Sequence, residues 1–154
     1  MKIVIQRVKS AHVVVDEQTV GQVEQGLVLL VGIEEHDTEE NLRIAAQKIM
    51  NMRIFDDTKG VMNCSLLDVD GAVLSISQFT LAADIRKGNR PSYSKAMKAA
   101  QADEYYRIFN DHLRAADVDV QTGIFQAHMN VQSDNDGPVT IIMIVKDGKV
   151  LTID

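Results

Sequence analysis

Residues 26–33, Gly-Leu-Val-Leu-Leu-Val-Gly-Ile, carry no polar side chain over the length of one strand. A strand with one face in water alternates apolar and polar residues, so an unbroken apolar run of this size calls for cover on both faces. The rest of the chain must supply a layer on each side. Its 154 residues make one globular unit at roughly 150 residues per domain, long enough to bury a core without disulfides or metals. An apolar content of 45% excludes disorder. The longest apolar runs, this one and residues 141–145, fall far short of the roughly 18 residues of a membrane span. Residues 1–5 begin apolar, but Gln6, Arg7 and Lys9 interrupt before a secretory signal develops. Cys64 stands alone, which excludes an intramolecular disulfide and suits a reducing compartment. A soluble cytoplasmic protein is expected.

The layers are legible on either side of that run. Residues 2–8 and 12–15, rich in Val and Ile, read as two short strands. Asp37 is placed to cap a helix, with Glu40 at the capping-box position, and Leu42, Ala45, Ala46, Ile49 and Met50 then form one apolar stripe. Asp70-Gly71 marks a turn before a strand over residues 72–79. A second helical region is expected over residues 92–116, with Tyr105, Ile108, Phe109, His112 and Leu113 on one face of its second half. The last third reads as strands over 129–131 and 139–145, a hairpin turn at Asp147-Gly148, and a final strand over 149–153. Strands at both ends with two helical segments between them predict an α+β fold.

The net charge of −6 conceals an uneven distribution. Five cations, Arg86, Lys87, Arg90, Lys95 and Lys98, lie within residues 86–98, which contain no acid. A basic island on an acidic body is what a phosphate-bearing ligand with one docking face requires, whereas the acidic remainder disfavours sequence-blind coating of a nucleic acid. The plainer reading is a solvated loop balancing nearby acids. Gly88 and Asn89 add a turn that would turn backbone N–H groups toward a phosphate. Tyr93 is the one nearby aromatic for stacking.

The four histidines, at 12, 36, 112 and 128, show no zinc-like pairing, so no metal site is expected. There is no Gly-x-Ser-x-Gly elbow, phosphate-binding loop or dinucleotide fingerprint. Cys64, in Asn63-Cys64-Ser65, reads as a small packed residue. Two segments stand out instead. Ser77-Gln78-Phe79-Thr80-Leu81 sits at a strand end, where it is either a plain terminus or a site in which main-chain N–H groups and hydroxyls meet a carbonyl oxygen. Asn135-Asp136-Gly137-Pro138-Val139-Thr140 lies between two strand-like runs and reads as a turn. Were its Gly-Pro bond cis, two carbonyls would be held as rigid parallel acceptors.

Together these two segments resemble the paired signature motifs of D-aminoacyl-tRNA deacylases. Gln6-Arg7-Val8, Arg53-Ile54-Phe55 with Gly60, and Lys87-Gly88-Asn89-Arg90-Pro91-Ser92 extend the likeness in order over essentially the whole chain. The resemblance implies an α+β fold with barrel-like sheets and two helical segments, and a homodimer whose active sites are shared across the interface. It implies hydrolysis of the ester joining a D-amino acid to the 3′-terminal adenosine of tRNA, with no cofactor and with neither DNA nor membrane as partner. Carried over, Ser77, Gln78, Phe79 and Thr80 line the catalytic pocket. Gly137 and Pro138, in cis and lent by the other subunit, present carbonyl oxygens to the substrate's amino group. Phe125 and Met129 shape the adenosine pocket, and Arg86, Lys87 and Arg90 are candidate tRNA contacts. The chain departs from the family pattern at Tyr93, Gln126, His128 and Ser133-Asp134. Two other classes compete with this reading: a non-catalytic RNA-binding module on the same scaffold, and a small-molecule esterase, which the missing triad and the basic island disfavour.

Overall fold

The computed structural model describes residues 1–151 and residue 153. In chain order its elements are β1 (Lys2–Val15), β2 (Gln18–Val23), β3 (Gly26–Gly32), α1 (Glu39–Asn51), β4 (Phe55–Asp56), β5 (Met62–Cys64), β6 (Ala72–Ser77), a 3-10 turn (Phe79–Ala82), α2 (Ala99–Arg114), β7 (Val120–Thr122), β8 (Asn130–Lys146) and β9 (Lys149–Leu151). The main sheet runs β7-β6-β3-β1-β8-β9, with β2 added to β1. Ladders β3–β6 and β6–β7 are parallel and the rest antiparallel. The α+β expectation holds.

The apolar run at residues 26–33 is covered as its composition requires. Leu27, Leu29 and Val31 face a core shared with α1 and α2, including Leu42, Ile49, Phe109 and Leu113. Val28 faces the opposite way, into a second core with Val8, Val13, Val23, Leu74 and Ile76. That second layer exists because β1 changes partner along its length. Residues 2–8 pair with β3 and residues 11–15 with β2, so the β1–β2 hairpin folds across the sheet. A Cβ on Gly21 of β2 would stand 2.6 Å from the Thr122 carbonyl of β7 and 3.3 Å from Leu74. The sheet curls in this barrel-like way without closing, since its path ends at β7 and β9.

Several elements differ from expectation for identifiable reasons. The two short N-terminal strands are one, because β1 pairs with β8 along nearly its whole length. The side-chain alternation changes phase at Arg7-Val8, where two consecutive residues are buried and the register slips. Asp37 does not cap α1. Its carboxylate accepts from the Met1 ammonium, the Asn41 amide and the Glu34 N–H, and Thr38 takes the cap position, its hydroxyl accepting from Asn41 N–H. A buried carboxylate with a cation in reach serves the cation first. Helix α2 starts at Ala99 rather than near residue 92. Pro91 is followed by two bridges flanking a turn at Ser94-Lys95, with Ser92 bridged to Asp84 and Ala96 to Glu34. The final strand ends at Leu151, and Thr152 lies outside the described residues.

Candidate functional site

Strand β6 ends at Ser77, with Gln78 N–H donating to Val31 O at 2.8 Å. The chain then closes into the 3-10 turn, where Leu81 N–H donates to Gln78 O and Ala83 N–H to Thr80 O. The turn lies so close to the end of β3 that a Cβ on Gly32 would meet Leu81 Cβ at 2.8 Å. The Gln78 side-chain amide donates to Thr80 Oγ1 at 2.6 Å, so the threonine hydroxyl is held as an acceptor. The N–H groups of Phe79 and Thr80 open the turn and have no partner among the described residues. Tyr106 of α2 fixes the strand behind them, its hydroxyl donating to Ser75 O at 2.7 Å. Burial pushes that phenol above its ordinary range, which keeps it a proton-bearing donor.

In front of this turn lies a cavity of about 540 Å³, within the range of small-ligand sites. Ser77, Gln78 and Phe79 line one side, and residues 125–129 another. Ile33, Ile76, Met97, Ala99, Ala102 and Val131 supply apolar wall. The Phe125 ring is positioned by Tyr106, 6.3 Å away between centroids. Of the residues named from sequence, Ser77, Gln78, Phe79, Phe125 and Met129 converge here. Thr80 does not line the cavity but stands behind Gln78. The wall from residues 96–102 was missed from sequence; small residues there read only as weak helix. His128 is the one titratable side chain on the cavity wall among the described residues.

Gly137 and Pro138 lie elsewhere. The segment read as a turn is a bulge inside β8: between the pairs Gln6↔Thr140 and Val8↔Asn135, Arg7 of β1 faces four residues of β8, Asp136–Val139. The Gly137-Pro138 bond is cis, Gly137 has φ +129°, and both residues are exposed, outside the cavity of their own chain. Buried Arg7 holds the bulge, its Nε donating to Asp136 O at 3.1 Å and Nη1 to Ile54 O at 2.7 Å, with Asp56 and Asp136 carboxylates at 3.4 Å. Asn135 and Thr140 brace the base of the bulge: Asn135 Oδ1 accepts from Val139 N–H and its amide donates to Thr140 Oγ1. Gln6-Arg7-Val8 carried this signal in sequence, though only pairing with β8 reveals the clamp.

The basic island splits by role. Asp84, just before it, takes the Arg86 guanidinium through Nε at 2.9 and 3.1 Å and also through Nη2, and Arg86 holds the Asp84 carboxyl well below the usual carboxylate range. With Asp84 and Ser92 paired backbone to backbone, Arg86 closes a hairpin. Lys87 and Arg90 are exposed and have no ion pair among the described residues. No three His, Cys, Asp or Glu side chains converge on a metal-sized site among the described residues, and no described helix is long and apolar enough to cross a membrane.

Known proteins share this fold. A solved structure described as "c-Myc DNA Unwinding Element Binding Protein" is 37% identical, superposes with a TM-score of 0.89, and covers 95% of this chain and 99% of its own. Another, from a structural analysis of a probable eukaryotic D-amino acid tRNA deacylase, shares the fold at a TM-score of 0.80 and 18% identity, covering 92% and 97%. The family profile described as D-Tyr-tRNA(Tyr) deacylase matches residues 4–144. The chain belongs to the D-Tyr-tRNA deacylase family, hydrolases that act on aminoacyl-tRNA.

Proposed function

We propose that this protein removes D-amino acids from tRNA by hydrolysing the ester to the 3′-terminal adenosine, and that it judges handedness with main-chain oxygens of Gly137 and Pro138 lent across a homodimer. The observation that carries this reading is the separation of the two signature segments: one lines a cavity, while the other projects, clamped and exposed, away from it. A second copy would bring the bulge of one subunit to the cavity of the other.

In this arrangement Phe125 and Met129 flank the adenine, and Ser77, Gln78 and Phe79 surround the ester carbonyl. The N–H groups of Phe79 and Thr80 hold the developing oxyanion, and water attacks with help from the adenosine 2′-hydroxyl. Thr80 is a supporting residue here, since a threonine nucleophile needs an adjacent base and its hydroxyl accepts from Gln78. Fixing the amino group and the ester leaves hydrogen and side chain as the two groups at Cα to be sorted. With the D side chain directed to solvent, the L side chain meets backbone, whatever its type. A discrimination of about 10⁴ needs about 5.5 kcal/mol, within reach of a steric clash that cannot swing away.

Glycine has no Cβ to clash, so glycyl-tRNA is a secondary substrate. Lys87 and Arg90, with Arg86 shaping the hairpin, meet tRNA phosphates regardless of tRNA identity, and the reaction belongs in the cytoplasm, where aminoacyl-tRNA is used. Incubation with D-tyrosyl-tRNA and L-tyrosyl-tRNA tests the reading: rapid release from the D ester alone is expected, and equal rates would overturn it. Equal resistance of glycyl and L-alanyl esters would overturn the steric account. The name of the 37% identical protein raises DNA binding as an alternative; affinity for DNA without turnover of any aminoacyl ester would favour it.

A further inference from the structure

We infer that Tyr93, braced against Phe79, is a stacking platform for the unpaired nucleotide that precedes the terminal adenosine, and that the hairpin beside it takes that nucleotide's phosphate. This rests on the reading that the 540 Å³ cavity receives the aminoacylated adenosine.

Seven aromatic side chains are present in the sequence, and among the described residues only Phe79 and Tyr93 are exposed, at 56% and 39%. They touch each other edge to face, with centroids 5.1 Å apart and planes at 71°. Leaving two large rings in water forgoes burial that the other aromatics obtain. Such a pair is suited to a ligand that supplies a flat apolar surface.

Its location says which ligand. Phe79 lines the large cavity. On the other side, Tyr93 follows Ser92, which lines a smaller cavity of about 260 Å³ with Asp84, Arg86 and Lys87. The aromatic pair therefore lies between an apolar chamber and a polar, cation-edged one. Ser92 is tied to Asp84 by two main-chain hydrogen bonds, N–H to O at 3.0 and 2.7 Å, so the Tyr93 backbone springs from a fixed ladder. Asp84 would repel a phosphate if it were free, but Arg86 neutralises it. Lys87 then sets the sign of the smaller cavity, with Arg90 nearby in the same hairpin.

Alternating nucleoside pocket, aromatic face and cationic pocket is the pattern of single-strand recognition, in which bases stack and phosphates meet cations. A base-paired stem would offer only its phosphates, because its base faces are already covered by neighbouring pairs. The surface thus fits the single-stranded end of the substrate rather than its duplex.

Three D-aminoacyl esters test this with the intact protein: one of adenosine alone, one of a trinucleotide ending in adenosine, and one of the same trinucleotide with the penultimate base removed but its phosphate kept. The intact trinucleotide is expected to react with a KM at least about fivefold lower than the adenosine ester, from the usual strength of one base–aromatic stack, with kcat changing much less. Removing the penultimate base should erase most of that gain. Tyr93→Ala should erase it too and make the protein indifferent to the missing base, whereas Tyr93→Phe, which keeps the ring, should retain it. Lys87→Glu should weaken what advantage the abasic trinucleotide retains and lessen its dependence on salt. If Tyr93→Ala slows all three esters by one factor, Tyr93 merely supports Phe79 and the inference fails. It fails equally if the intact and abasic trinucleotides react alike in the unaltered protein. Hydrolysis of none of the three would remove the underlying reading along with this one, a result distinct from equal hydrolysis of all.

Discussion

The two signature segments solve opposite structural problems. The turn after β6 is mostly local: bonds between residues two or three apart link Gln78 to Thr80, Leu81 to Gln78 and Ala83 to Thr80, with Gln78 N–H to Val31 O and Lys2 Nζ to Leu81 O tying its ends to the sheet. The bulge in β8 is held from afar by Arg7, whose partners also include Ile54 and Asp56. The first segment builds a wall of its own chain's cavity. The second is an exposed projection that lines no part of that cavity. A short-range turn suffices where a strand and helix already supply the surroundings. An exposed projection is held here by a buried guanidinium, whose fork reaches several acceptors at once, as the proposed role of its carbonyl oxygens would require.

This contrast breaks most sharply at Arg7. Arg7→Ala leaves the Ile54 carbonyl without its donor and releases the bulge, so we expect a loss of about 2–3 kcal/mol in urea unfolding and a collapse of the D-over-L rate ratio. Arg7→Lys should recover stability in part but not selectivity, because an ammonium cannot reproduce the fork. A normal rate ratio in Arg7→Ala would show that the bulge holds itself.

Gly137→Ala strains the projection while leaving the Arg7 guanidinium in place. The new Cβ would lie 2.9 Å from Val139 Cγ2 and 3.2 Å from Arg7 Nη2, on a residue at φ +129°, a conformation that costs a non-glycine residue about 1–3 kcal/mol. Selectivity should fall with less loss of stability than Arg7→Ala produces. Equal denaturation midpoints and an unchanged D-over-L ratio would contradict this.

Charge reversal at Lys87 and Arg90 addresses the local side of the comparison. Each lost phosphate contact should weaken tRNA binding and flatten the slope of log affinity against log salt by about 1. An unaltered slope in a salt titration would make the island solvated surface. The Asp84–Arg86 pair adds a pH expectation. The folded carboxyl is depressed, so its contribution is present above the ordinary carboxylate range and disappears only as pH falls through the depressed value. Binding should then show no step from the hairpin between neutrality and mildly acidic pH.

The smallest effect is expected at Thr80. Thr80→Val removes the acceptor for Gln78 but no reacting atom, so single-turnover rates should drop by less than about tenfold, the kinetic equivalent of 1.4 kcal/mol. A fall to the uncatalysed rate with the fold intact would restore the threonine as nucleophile.

Much of the architecture was legible in the chain. The apolar run at residues 26–33 demanded two covering layers, and both are present in the Leu27 and Val28 cores. The stripe at Leu42, Ala45, Ala46, Ile49 and Met50 is the buried face of α1. Asp37 and the start of α2 were misread because competing partners, the Met1 ammonium and the Glu34 bridge to Ala96, lie far off in sequence. The stretch from 135 to 140 was misread as a turn because a wide bulge and a turn use the same residue types, and only the register of β1 on β8 tells them apart.

Periodicity and composition determined the strands, the helices and the need for layers on both faces of β3, since these follow from contacts within a few residues and from how much apolar surface must leave water. Which cation closes on which carbonyl, which small residues wall the cavity, and that the two signature segments stand apart in one chain were decided by tertiary pairing, because those contacts join residues dozens to more than a hundred positions apart.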